Sequence, residues 1–276
     1  MKIERVWGVW FSPTGSTETL VRAAADSLAG VLDVPVSYRS LNTPVQRQEP
    51  LCLGPQELLI VGGPTYAGKL PNKIMPAFRE LLRGEKTPAV AVVTFGNRSF
   101  DNALAELGAI LSEKGFEIVG AAACAAEHAM ARSLAAGRPD AEDLDRMTRF
   151  CAELGTGFAA AKQLPNPPQI PGDAAAPYYR PLRADGAPAN FLRAKPKTDP
   201  VRCDRCGLCA RLCTMGAIET EDPMQVTGTC IKCQACVQHC PTGAKYFDDP
   251  DYLSHLEMLR AHYAAPADSV YFPPYF

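Results

Sequence analysis

The sequence predicts an α/β protein: a doubly wound parallel sheet of five strands joined to a small α+β unit. Two observations carry that expectation. Over residues 1–162, short continuous apolar runs alternate with amphipathic helical patterns, as in parallel strands covered by helices on both faces. Between Cys203 and Cys240 the chain gathers eight of its eleven cysteines into two runs of identical spacing. Such self-similarity marks a duplicated unit.

The elements follow in order. Val6–Phe11 is an apolar strand ending at Ser12-Pro13-Thr14-Gly15, and Ser16–Ala29 sets Leu20, Ala24 and Leu28 at helical spacing, with Gly30 as its expected stop. Val34–Tyr38 is a weaker strand, and Leu58–Val61 is a third that runs into Gly62-Gly63-Pro64. Pro71 suits the first turn of a helix carrying Ile74, Phe78 and Leu81 and closed by Gly84. Ala89–Phe95 is the fourth strand, Leu104, Leu107 and Leu111 mark the next helix, and Phe116–Ala123 is the fifth strand. Asp140–Ala161 then puts Leu144, Met147, Cys151, Leu154 and Phe158 on one face. Residues 163–199 are proline-rich, without periodicity and locally basic, which reads either as a solvated linker or as a strap along a neighbouring domain. The cysteine unit spans 200–249. Residues 250–276 hold a helical pattern at Leu253, Leu256 and Leu259, then the aromatic tail Tyr271–Phe276, expected to pack on its own chain or a dimer mate.

Composition excludes several classes of function. The 28 basic and 30 acidic residues give a net charge of −2, so there is no basic stripe for nucleic acid. No apolar run reaches the ~18 residues of a membrane span, and Met1–Arg5 lacks the apolar region of a secretory leader. A cytoplasmic location is expected, and dense thiols there read as metal ligands rather than disulfides.

Each cysteine run reads C-x2-C-x2-C-x3-C: Cys203, Cys206, Cys209 and Cys213, then Cys230, Cys233, Cys236 and Cys240. In runs of this spacing three thiolates wrap one iron–sulfur cube and the fourth ligates the other cluster. One [4Fe–4S] cluster is therefore expected on Cys203, Cys206, Cys209 and Cys240, and a second on Cys213, Cys230, Cys233 and Cys236. Paired zinc is the competing reading, but zinc sites favour two CxxC pairs separated by a longer loop. The block resembles the bacterial two-cluster ferredoxin family, which implies low-potential one-electron transfer. Thr214 stands where that family usually has proline.

Three loops at strand carboxyl ends converge on one crevice, where open α/β sheets bind ligands. The first, Ser12-Pro13-Thr14-Gly15-Ser16-Thr17, offers hydroxyls, backbone N–H groups and a glycine, with no lysine. That set suits a phosphate monoester at a helix N-terminus, and it equally suits an ordinary helix cap. The others are Pro64-Thr65-Tyr66-Ala67-Gly68 and Thr94-Phe95-Gly96-Asn97-Arg98. Tyr66 and Phe95 supply flat surface for an isoalloxazine ring, or alternatively belong to rim and core. Together the loops resemble the flavodoxin family, which implies strand order 2-1-3-4-5 and bound FMN. The ring-stacking tryptophan of many flavodoxins has no equivalent in these loops.

The whole chain is similar to the flavodoxin–ferredoxin fusion family of iron–sulfur flavoproteins from anaerobes. The resemblance implies a redox protein relaying electrons between FMN and two [4Fe–4S] clusters, with redox proteins or a small-molecule donor or acceptor as partners and a homodimer left open. The alternative is a flavoenzyme reducing a small molecule such as a quinone, for which Glu127, His128 and Arg98 are the candidate proton sources.

Overall fold

The computed structural model describes residues 2–161 and 163–275. The first half builds β1 (Arg5–Trp10), α1 (Ser16–Leu32), β2 (Val36–Ser40), β3 (Leu51–Leu53), β4 (Glu57–Pro64), α2 (Met75–Leu81), β5 (Leu82–Gly84), β6 (Thr87–Phe95), α3 (Ala103–Glu113), β7 (Phe116–Ala125) and α4 (Ala141–Ala160). The second half adds β8 (Lys197–Thr198), α5 (Leu208–Arg211), α6 (Ala235–Gln238), β9 (Lys245–Tyr246), α7 (Pro250–His262) and β10 (Val270–Phe272).

The main sheet runs β10-β7-β6-β4-β1-β2. Its four pairings from β2 to β7 follow one rule, parallel neighbours, while β10 lies antiparallel on β7 with Val270 opposite Ala123. The sheet thus has six strands where five were expected, because the aromatic tail covers an otherwise open edge. Phe276, part of that expected tail, lies outside the described residues.

Pleating divides the core in two. Successive strand residues point to opposite faces, so Val9, Leu59, Val61, Ala91 and Val93 join α2 and α3 in one core. Val6, Leu58, Ile60, Val90 and Val92 join α1 and α4 in the other. At Gly62 an added Cβ would stand 2.5 Å from Val21, so only glycine lets α1 pack this closely on β4.

Several boundaries differ from the sequence reading. Helix α1 passes through Gly30 and stops at Asp33 in the left-handed conformation; burial of Leu28 and Ala29 outweighs a glycine penalty of about 1 kcal/mol. Helix α2 begins at Met75 rather than Pro71, which instead starts a turn accepting the Ile74 N–H at 2.8 Å. Leu82–Gly84 is not helix end but a short strand parallel to β3.

Residues 163–199 form a strap held on the first half. The Lys69 Nζ donates to Ala174 O at 2.8 Å and Ala176 O at 2.9 Å. Tyr178 Oη donates to Leu70 O at 2.8 Å, and the Tyr179 N–H donates to Ala67 O at 2.8 Å. A third, smaller core joins α7 to the turn after β7 through Ala131, Leu134, Tyr252, Leu256 and Leu259, with Leu182 and Phe191 of the strap against it. Leu253, expected on the inner face of α7, is exposed.

Candidate cofactor sites

The cysteine runs fold as two copies of one backbone. Left-handed residues recur at a period of 27: Arg205 and Lys232 (φ 58° and 56°), Gly207 and Gln234 (70° and 66°), Gly216 and Gly243 (59° and 62°). Gly207 and Gln234 precede the single turns α5 and α6, which swing the third cysteine of each run back toward the first two.

The eight thiols divide between two cavities. Cys213, Cys230, Cys233 and Cys236 line one, and Cys203, Cys206, Cys209 and Cys240 line another. The fourth cysteine of each run thereby lines the cavity of the other run. Among the described residues no three His, Cys, Asp or Glu side chains are grouped for a single metal ion.

Hydrogen bonds converge on sulfur. Backbone N–H groups of Ala217 and Ala244 donate to the Sγ atoms of Cys213 and Cys240 at 3.1 and 3.2 Å. The Lys232 N–H donates to Cys230 Sγ, and Thr214 Oγ1 donates to Cys233 Sγ, both at 3.4 Å. Burial pushes the Cys233 thiol up to about 11 and the Cys236 thiol higher still, while hydrogen bonds from Thr242 and nearby N–H groups leave Cys240 below the ordinary range. Donors aimed at sulfur favour the thiolate, the form that ligates metal. Thr214, the departure from proline, thus brings a hydroxyl to a sulfur.

The three loops after β1, β4 and β6 do meet. Thr17 Oγ1 and Thr94 Oγ1 share a buried hydrogen bond of 2.7 Å, and the Thr65 N–H donates to Thr94 O at 2.7 Å. Ser12 is buried and its Oγ accepts from the Glu18 N–H at 3.0 Å, so the third N–H of α1 is already taken. Thr14, Gly15 and Ser16 are half-buried at the mouth. Gly15, at φ 97°, has open space where a Cβ would project, and it gives α1 no side-chain cap. The first N–H groups of a helix lack intrahelical partners and face anions well. In the second loop Thr65 Oγ1 is buried without a hydrogen-bond partner.

Other loop residues serve the fold. Phe95 is 5% exposed and packs on Phe100, so it offers no open ring surface; it ends a strand buried on both faces. Asn97 uses its amide on the tail, donating to Tyr263 O and Ala265 O at 2.6 and 2.8 Å and accepting from the Ala267 N–H at 2.9 Å. Gly96 and Gly68 are close-approach glycines against His128 and Asp101 rather than open surface. Arg98 pairs with Asp101 and lies 4.1 Å over the Tyr179 ring. Tyr179, half-buried and contributed by the strap, was not foreseen: proline-rich sequence carries no periodicity to show where it docks. Pro64 and Ala67 border the same turn, with Ala67 at φ 48°.

The candidate proton sources are committed elsewhere. Glu127 pairs with Arg132 and accepts from the Gly137 N–H. His128 Nδ1 accepts from the N–H groups of Met130 and Ala131 at 3.2 and 3.1 Å. Burial, with His255, Arg98 and Arg260 adding like charge, lowers His128 to about 4, so its imidazole is neutral.

The cysteine unit seats on the crevice side of the sheet. Arg47 Nη2 donates to Thr214 O at 2.6 Å, Gln238 Nε2 to Ala129 O at 2.9 Å, and His239 Nε2 lies 3.2 Å from Pro13 O. Met215 and Ile231 pack against the first core. Tyr66 lies at this junction, where burial and the charges of Cys233 and Cys230 push its phenol well above the ordinary range.

Residues 225–246 match the family described as 4Fe-4S binding domain, and no curated protein matches the chain. Similar solved structures include oxidised Flavodoxin 2 from Bacillus cereus, at 19% identity over 56% of this chain and 99% of that one, TM-score 0.43. A flavodoxin of Streptococcus pneumonia TIGR4 is 21% identical over 55% of this chain and 99% of that one, TM-score 0.39. Rubredoxin oxygen:oxidoreductase from Desulfovibrio gigas is 18% identical over 58% of this chain and 38% of its own, TM-score 0.35.

Proposed function

We propose that the chain is an electron-transfer iron–sulfur flavoprotein of the flavodoxin–ferredoxin fusion type. In this reading one [4Fe–4S] cluster is ligated by Cys203, Cys206, Cys209 and Cys240, a second by Cys213, Cys230, Cys233 and Cys236, and FMN is held at the three loops. The observation that carries it is the crossed division of eight thiols between two cavities. The match to a 4Fe-4S binding domain over the second run supports it.

For FMN, the hydroxyls of Thr14 and Ser16 and the N–H groups at the start of α1 suit a phosphate monoester. Gly15 leaves room for close approach. Thr65 Oγ1, buried and unpartnered, is a hydroxyl for a polar ring edge, and such a group is costly unless something satisfies it. When bound, FMN exchanges one or two electrons and each cluster one; the protein contributes orientation, burial and hydrogen bonds to sulfur. Holding the groups on one chain replaces encounter with proximity. Redox proteins or small carriers are the expected partners.

Anaerobic purification with iron, acid-labile sulfide and flavin analysis tests this. About eight irons and one FMN per chain are expected; zinc in place of iron would overturn the reading.

A further inference from the structure

The 27-residue period gives each position in one cysteine run a counterpart in the other, and the counterparts line opposite cavities. Lys232 lines the Cys213 cavity and its counterpart Arg205 lines the Cys203 cavity, so that pair of cations is balanced. Two pairs are not balanced: Asp204, exposed, lines the second cavity where Ile231 lines the first, and the other such pair is buried. Ile218 lines the first cavity, and its counterpart in the second is Lys245.

Lys245 is 3% exposed, on β9 opposite Thr198 of β8. Its Nζ donates to Pro223 O at 2.6 Å, and among the described residues it has no carboxylate partner. A buried ammonium with one neutral acceptor is among the costliest arrangements in a fold unless negative charge adjoins it. Asp204, a carboxylate on this cavity's wall, is exposed and accepts the Cys206 N–H at 3.1 Å, so the buried negative charge beside Lys245 is the set of thiolates and what they bind.

We propose that Lys245 is the built-in counter-charge of the Cys203, Cys206, Cys209 and Cys240 site and makes it the more readily reduced of the two cluster sites. The inference rests on the cluster reading above. Reduction adds one electron to a buried site, and a fixed cation at its wall stabilises the added charge. The opposing asymmetry is the Thr214 hydroxyl on Cys233 Sγ, where the other cavity has Pro241. That is a neutral donor, weaker in a low-dielectric interior than a full charge.

The test is an anaerobic titration of the full chain followed by EPR, with iron counted beforehand. Dithionite supplies the electrons and is oxidised to sulfite. Fewer than about eight irons in the unaltered chain would overturn the cluster reading itself. With full iron, two reduction steps at separate potentials are expected. Lys245→Gln keeps an N–H donor for Pro223 O and removes the charge; it should move the higher step to more negative potential by more than it moves the lower one. A higher step that does not move overturns the proposal. Should Lys245→Gln lose iron, retention of iron by Lys245→Arg supports the counter-charge, and equal loss in Lys245→Arg overturns it.

Discussion

Lys69 and Glu106 form an ion pair of 3.0 Å whose side chains are only 9% and 7% exposed. Every strong valence of the pair is used: the ammonium also holds the carbonyls of Ala174 and Ala176, and Glu106 Oε2 accepts the Leu70 N–H at 2.8 Å. One buried lysine therefore ties α3, the second loop and the strap together. Lys69→Met leaves the Glu106 charge buried and unpaired, which costs about 3–5 kcal/mol. Urea unfolding should register that loss, and proteolysis within residues 173–180 should quicken. A loss below about 1 kcal/mol would be the value of a solvent-exposed pair and would contradict this account.

Stability should fall in mild acid. His128, ordinarily near 6.5, is lowered to about 4 by burial, so between those values the unfolded chain binds the proton more readily than the folded one. Lower pH then favours unfolding by up to ~1.4 kcal/mol per pH unit from this group. His255, also lowered by burial, adds in the same direction. His128→Asn, which keeps a side-chain acceptor for the Met130 and Ala131 N–H groups, should flatten urea midpoints measured from pH 4.5 to 7. An unchanged slope would assign the pH dependence to other groups.

FMN affinity should depend on the strap. Tyr179 is fixed to the second loop by its backbone and to the third by Arg98 stacking, so it bridges two of the loops proposed to hold FMN. Tyr179→Ala should weaken FMN binding about tenfold by fluorescence titration, the scale of one aromatic contact, whereas Tyr179→Phe should hold within about threefold. Tighter binding by Tyr179→Ala would mean that the ring obstructs the site.

Much of this was legible because it rests on period and spacing. Alternating strands announce which residues face which helices, as Leu58 and Leu59 do, and the cysteine spacing carries its own chemistry. A strap was one of two readings of residues 163–199 and the tail was expected to pack, but where each docks was not legible. Their order comes from single long-range bonds such as Lys69 to Ala174 and from a three-residue strand, neither of which leaves a periodic trace. The crevice was half legible: its glycines and hydroxyls stand where loops must turn, but Phe95 and Asn97 look identical in sequence whether they face a ligand or hold the core and tail. Lys245 and its counterpart Ile218 did not stand out in the sequence, because only the fold reveals that Lys245 is buried at a cavity wall.

The crossed pairing of cysteines is tested most directly by counting iron in double variants. Cys206 and Cys240 line one cavity, while Cys233 lines the other. Cys206→Ala with Cys240→Ala should retain about half the iron, and Cys233→Ala with Cys240→Ala should retain almost none. The reverse pattern, with half the iron kept by Cys233→Ala and Cys240→Ala together, would mean that each run binds its own cluster and would contradict the account.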